Sequence, residues 1–153
     1  MRSLLEVAQF MSLYAAALDR RDLEAWVAMF APQASYQVES LENHSLGLPL
    51  KLIDDPTRSK LEDRVLYIRR YWSGCFNEYT QRHLLSLPVV SGNEMEQNFA
   101  VYVTDMNFGG SIGGRSSLLC VGRYLATFAG DKLGRLQVIL DTSVITQSLV
   151  YPV

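Results

Sequence analysis

Apolar residues at the beginning of the chain recur at the spacing of an α-helix. From Leu4 to Leu18 they fall every three or four positions, with Ser3 placed as an N-cap and Glu6 three residues after it. A shorter pattern of the same kind runs from Asp22 to Phe30 and stops at Pro32, because proline cannot continue a helix. The sequence therefore predicts a helical hairpin at the start of the fold.

The next part of the chain is predicted to hold one strand, a long connection and a third helix. Residues Ala34 to Glu39 alternate well enough for a first strand, whereas Asn43 to Thr57 is polar and contains prolines, as connections do. Helical spacing returns from Leu61 to Trp72, and Gly74 is placed to weaken or end this helix.

Everything after the third helix has the composition of β-structure. Four runs are rich in branched and aromatic residues, and turn clusters at 91–93, 109–114 and 130–131 separate them. Consecutive strands joined by such turns pair antiparallel, so we expect an α+β fold in which helices cover one face of a strongly curved sheet, like a cone. No repeat or linker interrupts the sequence, and residues 1–153 are predicted to form a single domain. The four predicted strands are Leu84–Val90, Gln97–Phe108, Ser117–Phe128 and Leu136–Val144.

Charge and hydropathy narrow the classes of partner. The net charge of -2 and the short basic pairs Arg20-Arg21 and Arg69-Arg70 offer little attraction to nucleic acid. No apolar stretch reaches the roughly 20 residues of a membrane span. Acidic Glu6 lies where a signal peptide would be apolar, so a cytoplasmic location is expected, with no membrane and no nucleic acid as partner.

The residues that bind metals and cofactors are scarce. A Rieske cluster needs Cys-X-His and Cys-X-X-His pairs, and neither Cys75 nor Cys120 is followed by such a histidine. His44 and His83 are the only histidines and have no helical spacing that would support an iron triad. The glycine run 108–114 lies between strands, which favours a hairpin loop over a phosphate cradle. No metal, cofactor or catalytic residue is therefore predicted on this chain, and both cysteines are expected to be free thiols.

Two charged pairs are the most informative polar residues. Asp63-Arg64 begins the third helix and Arg82-His83 begins a predicted strand, and charges near a core need partners, so the two pairs could face each other. They could form a structural ion-pair network, be exposed to solvent, or form a subunit contact or a dyad in a cavity. Arg123, within an apolar strand, could face either solvent or an interface.

Several short motifs, in this order, resemble those of a known family. They are Asp63-Arg64, the run Tyr79-Thr80-Gln81-Arg82-His83, Gly122-Arg123-Tyr124 and the run Leu140-Asp141-Thr142-Ser143-Val144, and together they resemble the β subunits of aromatic-ring-hydroxylating dioxygenases. Within that family, the runs 43–48, 82–88 and 122–128 are most similar to small subunits acting on aromatic acids, terephthalate first and salicylate next.

The resemblance implies a cystatin-like cone of the nuclear-transport-factor and ketosteroid-isomerase type. It also implies an α3β3 hexamer in which the large subunit carries the [2Fe-2S] Rieske cluster and the mononuclear Fe(II), and a reductase supplies electrons from NADH. This chain would then be structural, without catalytic residues of its own. Polar contacts to other subunits are predicted at Asp63, Arg64, Arg82, His83 and Arg123, and apolar ones at Trp72, Phe76, Tyr102, Phe108 and Tyr151.

Two other functions are compatible with a cone fold. The chain could be a free-standing isomerase or dehydratase in which His83 and Asp63 are an acid-base pair and Tyr36 or Tyr124 orients the substrate. It could also be a module that binds a small ligand in the cone without catalysis.

Overall fold

Up to residue 72 the chain is mainly helical, with two strands between helices, and the residues described after it form mainly β-structure. The computed structural model describes residues 2–72, 79–105, 113–145 and 149–153. Within these residues the helices are α1 (Leu4–Asp19), α2 (Leu23–Ala28), α3 (Leu41–Leu46) and α4 (Arg58–Tyr67), which continues as a π-helical turn, Ile68–Trp72. The strands are β1 (Phe30–Ser40), β2 (Ile53–Asp55), β3 (Tyr79–Leu85), β4 (Val89–Ser91), β5 (Glu94–Asp105), β6 (Arg115–Ala129) and β7 (Lys132–Leu140).

All seven strands belong to one mixed sheet. Its order is β2-β1-β7-β6-β5-β3, and β4 pairs with β5 outside this path. The β1–β7 pairing is parallel and the other pairings are antiparallel. The register shifts in β1–β7, β5–β6 and β6–β7, and such irregularities bend strands. The predicted α+β class with a mostly antiparallel sheet is confirmed.

The predicted helix starts are confirmed at the level of single hydrogen bonds. Ser3 Oγ accepts from the Glu6 N–H, and the Glu6 carboxylate accepts from the Ser3 N–H at 2.7 Å, which completes a capping box. At α2, Asp22 accepts from the Ala25 N–H at 3.1 Å. These local interactions explain why both helices begin where their sequences indicate.

Several predicted boundaries were wrong. The connection predicted from 43 to 57 contains α3 and β2, and the third helix begins three residues before Leu61. The strand predicted at 84–90 is instead two strands, β3 and β4, separated by Ser86 to Pro88. The last predicted strand ends at Leu140 rather than at Val144. Most of the glycine run 108–114 lies outside the described residues.

Aromatic side chains fill the space between helices α1 and α2 and the inner face of the sheet. Their rings meet mostly edge to face, with centroids 5.2 to 6.4 Å apart, a geometry that adds about 0.5–1.5 kcal/mol per pair beyond burial. The cone interior described here is therefore lined by packed rings. The members of this aromatic core are Tyr14, Trp26, Phe30, Tyr36 and Tyr124, all fully buried.

Candidate functional site

The outer side of the sheet carries two rows of exposed or half-buried side chains across β3, β5 and β6. In one row Arg82 lies opposite Tyr102, and Tyr102 lies opposite Leu118. In the other row Leu84 lies opposite Ala100, which lies opposite Val121. Exposed fractions of 59% for Leu84 and 40% for Tyr102 place these apolar groups in solvent. We call the six residues Arg82, Leu84, Ala100, Tyr102, Leu118 and Val121 the outer face.

Arginines border this outer face. Arg123 follows Val121 on the same side of β6 and forms an ion pair with Glu96 of β5 at 3.3 Å. Because both partners are well exposed, the pair contributes little to the stability of the chain itself. Arg82 is exposed and has no ion pair to any residue in the described part of the chain. An apolar strip with tyrosine and arginine has the composition of a protein–protein interface.

The predicted residues Asp63 and Arg64 lie at a cleft beside α4. Arg64 donates two hydrogen bonds, 2.5 and 3.0 Å long, to the buried carboxylate of Asp55 in β2, whereas Asp63 forms an exposed pair with Lys60 at 3.2 Å. The two hydrogen bonds of the Arg64 guanidinium therefore connect α4 to β2, at the edge of the sheet. The cleft has a volume of about 470 Å³ and is lined by Asp55, Lys60, Asp63, Arg64, Tyr67, Ile68, Trp72, Leu149 and Val150.

His83, the remaining one of the five residues predicted to contact other subunits, points into the cone rather than toward the outer face. Its Nδ1 lies 2.6 Å from Oδ1 of Asp19, at the end of α1, and the same carboxylate accepts the His83 main-chain N–H at 3.2 Å. The other ring nitrogen, Nε2, is buried and has no partner in the described part of the chain. The predicted acid-base pair of His83 with Asp63 was therefore wrong, because Asp63 lies on the exposed side of α4 with Lys60.

The two histidines lie on separate elements, and each pairs with a carboxylate of its own. His44 lies on α3, where its Nδ1 is 3.2 Å from the buried carboxylate of Glu39, which also pairs with Lys51 at 3.6 Å. Glu39 belongs to β1, which lies four places from β3, the strand of His83, in the order of the sheet. Among the described residues, no three His, Cys, Asp or Glu side chains are grouped as metal ligands.

Two tyrosine hydroxyls converge on one main-chain oxygen inside the cone. Tyr14 and Tyr36 each donate to the main-chain oxygen of Val153 at 3.0 Å, and the Val153 N–H donates to Tyr36 Oη at 3.1 Å. The hydroxyl of Tyr124 is buried without a partner in the described residues. Burial raises the pKa of all three phenols, and the charge of Asp19 adds to the rise for Tyr124, so the hydroxyls stay neutral donors.

Residues 149–153 extend to this interior, and a cation–π contact between Arg21 and Tyr151 holds them there. The Arg21 guanidinium carbon lies 3.5 Å from the centre of the Tyr151 ring, and that ring meets Tyr79 edge to face at 5.9 Å. Arg21 also donates to the Tyr79 carbonyl oxygen. Its φ of 57° is in the left-handed region, which costs a non-glycine residue about 1 kcal/mol. The backbone at Arg21 thus adopts a strained turn that directs its side chain over Tyr151.

Sequence reasoning found Tyr36 and Tyr124 but missed Asp19, Tyr14 and Val153. A weak signal existed for Asp19, because a carboxylate in the last turn of a helix opposes the helix dipole and needs a compensating contact. No feature of the sequence predicted that Val153 would contact Tyr14 and Tyr36. None of the helices formed by the described residues is long and apolar enough to cross a lipid bilayer.

Comparison with protein families gives a match along most of the chain. Residues 14–147 match the family described as the ring hydroxylating beta subunit. A solved β subunit assigned to an aromatic-ring-hydroxylating dioxygenase of Novosphingobium aromaticivorans superposes with a TM-score of 0.75 and 25% identity, covering 95% of this chain and 92% of that one. The same cone, of the nuclear-transport-factor type, occurs in solved structures that share less sequence.

Two curated relatives belong to oxygenases of aromatic acids. The anthranilate 1,2-dioxygenase small subunit of Burkholderia cepacia is 29% identical, over 100% of this chain and 96% of its own length. Subunit beta 1 of the terminal oxygenase component of terephthalate 1,2-dioxygenase from a Comamonas species is 26% identical, over 61% of this chain and 59% of its own length.

Proposed function

Because this chain belongs to the family of ring-hydroxylating β subunits, we propose that it is the non-catalytic small subunit of an aromatic-acid dioxygenase. In this proposal it assembles with a large subunit as an α3β3 complex in the cytoplasm. The large subunit carries the [2Fe-2S] Rieske cluster and the mononuclear Fe(II), and a reductase supplies electrons that originate from NADH. The assembly, the cofactors and the reductase in this proposal are inferred from the resemblance of the sequence motifs to those of the family.

An aromatic carboxylic acid is the substrate class that we propose for the complex. The names of the two curated relatives support it, since anthranilate and terephthalate are both aromatic carboxylates. The sequence motifs favour terephthalate, whereas the alignment with the anthranilate relative extends over the whole chain. Both acids should therefore be assayed with the assembled complex.

The exposed outer face is the observation that supports a role in assembly. Leucine, valine and tyrosine side chains stand in solvent on the surface of three paired strands, and Arg82 and Arg123 border them. Contiguous apolar patches bordered by polar groups are typical of interaction sites. We propose that the outer face contacts another subunit, with the arginines at its rim.

Co-expression with the large subunit tests this proposal. Leu84→Lys places a charge on the outer face, and Leu13→Lys is a matched control on α1, because both leucines are 59% exposed. We expect Leu84→Lys to lower the yield of the complex at least tenfold in size-exclusion chromatography with light scattering. Leu13→Lys should assemble normally, and all iron should elute with the large subunit. Normal assembly of both variants would contradict the proposed surface, and iron on the small subunit alone would contradict the non-catalytic role.

A second candidate function, a cone isomerase, is favoured by the buried pair of Asp19 and His83. Asp19 orients Nδ1, which leaves Nε2 free to take a proton from a substrate. The rate at which the isolated chain converts 3-cyclohexenone to 2-cyclohexenone tests this candidate. A rate that falls in His83→Gln would support it, whereas equal rates for the native chain and the variant would remove it.

A further inference from the structure

Every second residue from Leu46 to Leu52 is a leucine with an exposed side chain. The exposed fraction runs from 41% at Leu48 to 66% at Leu46. We call residues 46–52, which connect α3 to β2, the leucine segment. Single exposed leucines are normal on a protein surface, but four of them within seven residues form an apolar patch of the kind that marks an interaction site.

Hydrogen bonds hold the main chain of the leucine segment in place. The main-chain oxygen of Asn43 accepts the Leu48 N–H at 2.9 Å, and the Asn43 side-chain amide donates to the Leu50 oxygen at 3.1 Å. The Leu52 N–H donates to the oxygen of Val38 in β1 at 2.7 Å. Because the segment is already ordered, a partner that covers its leucines binds without a large loss of conformational entropy.

The unpaired charges next to the leucine segment are acidic. Its one basic residue, Lys51, pairs with the buried carboxylate of Glu39 at 3.6 Å. Glu42 and Asp54, which flank the segment in the chain, are exposed and form no ion pair with any residue among those described. On the outer face, Arg82 is likewise exposed and has no carboxylate partner among the same residues. Two apolar surfaces of this chain therefore have opposite charges at their borders, which favours contact between them.

The two surfaces lie at different ends of one sheet. The leucine segment leads into β2, the first strand in the order of the sheet, whereas the outer face spans β6, β5 and β3 at the other end. A chain with two complementary surfaces can contact one neighbour through each of them, and such head-to-tail contacts form a ring when the rotation between copies closes. A ring of three copies matches the α3β3 assembly proposed above.

We propose that the outer face of one copy of this chain binds the leucine segment of the next copy, and that three copies form a closed ring within the oxygenase complex. In this contact the leucines pack against the apolar residues of the outer face, and Glu42 and Asp54 lie near Arg82. Such a contact rests on the proposed role of the outer face in assembly, and it assigns that face to a second copy rather than to the large subunit.

Cross-linking between copies tests the contact. In a Cys75→Ser background, tagged chains with Leu50→Cys are co-expressed with the large subunit and with untagged chains that carry Ala100→Cys, between Leu84 and Val121 on the outer face. A short bismaleimide is added, and a denaturing gel separates the products. We expect a linked pair of tagged and untagged chains, and little linking when either variant is present alone. Cys120 is buried, so the background chain should not be linked.

The linked products also check the ring. Chains that carry both cysteines should be linked into trimers and no further. Absence of the tagged–untagged pair, linking of two Ala100→Cys chains to each other, linking of Ala100→Cys to the large subunit, or a ladder beyond trimers would each overturn the inference. If no complex forms, the same chains are cross-linked without the large subunit. A tagged–untagged pair then supports the contact although the proposed function fails, and its absence overturns both.

A charged variant of the leucine segment separates the contact from the proposed function. Leu50→Lys places a cation opposite the arginines of the outer face and should lower the yield of the complex about tenfold, as Leu84→Lys does, whereas Leu13→Lys should not. Circular dichroism of each isolated variant checks that its fold is retained. Loss of the complex in Leu84→Lys with normal assembly of Leu50→Lys would overturn the contact between copies and leave the assembly role of the outer face intact.

Charge reversal identifies the partner of the outer face. Arg82→Glu places like charges against Glu42 and Asp54 and should lower the yield of the complex about tenfold. Adding Glu42→Arg and Asp54→Arg to the same chain should restore the yield, because the attraction between copies returns with its signs exchanged. This rescue cannot arise if the large subunit covers the outer face, and its failure would overturn the contact between copies.

Discussion

The carboxylate of Asp19 binds His83 twice, through the ring Nδ1 at 2.6 Å and through the main-chain N–H at 3.2 Å. Asp19 ends α1, and His83 lies in the middle of β3, the strand at one edge of the sheet. The pair therefore joins the first helix to an edge strand, which pairs only with β5 among the described residues. The imidazole is fully buried, so its Nδ1 depends on this contact.

The first prediction concerns this pair. Asp19→Ala should lower the free energy of unfolding by about 3 kcal/mol, because it leaves a buried imidazole and a buried main-chain N–H without an acceptor. Asp63→Ala removes only an exposed pair with Lys60 and should change stability by about 0.5 kcal/mol or less. Urea denaturation of both variants measures the difference. Equal losses would show that the buried pair contributes no more than the surface pair.

The second prediction concerns Gly122, the first residue of the Gly-Arg-Tyr motif. A Cβ there would overlap the main-chain oxygen of Ile139 and lie 3.0 Å from its carbonyl carbon. Because strand backbones cannot move apart cheaply, Gly122→Ala should cost more than about 3 kcal/mol or prevent folding. Gly92→Ala, at a turn with φ of 63° and open space, should cost only about 1 kcal/mol. Thermal unfolding of both variants compares them, and a milder effect at Gly122 would contradict the overlap.

The third prediction concerns stability at high pH. Burial raises the pKa of Tyr14, Tyr36 and Tyr124 above their unfolded value of about 10, so the folded chain keeps protons that the unfolded chain loses. Their stabilising contribution is complete below pH 10 and decreases above it, by about 1.4 kcal/mol per pH unit for each tyrosine. Tyr124→Phe should make the fall of the unfolding free energy with pH less steep by about 1.4 kcal/mol per pH unit, the contribution of one tyrosine.

The same variant is informative at neutral pH. Tyr124→Phe should not destabilise the chain, because its hydroxyl has no partner in the described residues. Tyr36→Phe should cost about 1–3 kcal/mol, because it removes both hydrogen bonds to Val153. Urea denaturation at pH 7 gives the second comparison, and a series between pH 10.5 and pH 11.5 gives the slope. A slope unchanged by Tyr124→Phe would contradict the buried, neutral phenol.

The fourth prediction concerns Cys120. Burial raises the pKa of its thiol to about 12, so at pH 8 only about one thiol in 10,000 is the reactive thiolate. In a Cys75→Ser background, we expect Cys120 to react with a disulfide reagent at least 100-fold more slowly in the folded chain than in urea. Absorbance of the released thiolate follows both reactions, and the unfolded chain should give one equivalent. Fast labelling of the folded chain would mean that the thiol is accessible.

Local signals explain which helices could be predicted from the sequence. Ser3 and Asp22 begin helices through contacts within three residues, so the printed sequence contains all the information. The short α3 had comparable signals, a cap at Ser40 and a left-handed glycine at Gly47, but six residues are too few to show a periodic apolar stripe.

Strand β3 was misplaced because its inward positions are polar. Gln81 and His83 face the interior, where apolar residues are expected, and the apolar run that indicated a strand begins only at Leu84. The candidate site was harder still to predict. Asp19 and His83 are 64 positions apart, and Tyr36 and Val153 are 117 apart, so no local pattern relates them. Their contacts depend on the complete sheet.

The parallel pairing of β1 with β7 also determines when β1 can pair during translation. Tyr36 lies opposite Leu136, so β1 waits for a partner strand that is translated 100 residues later. At the usual 5–20 residues per second, that wait lasts about 5–20 s. During that time the helical hairpin and β1 cannot pack against β7, because β7 has not yet been synthesised. Chaperone binding during translation should therefore concentrate on the first forty residues and end soon after Leu140 leaves the exit tunnel.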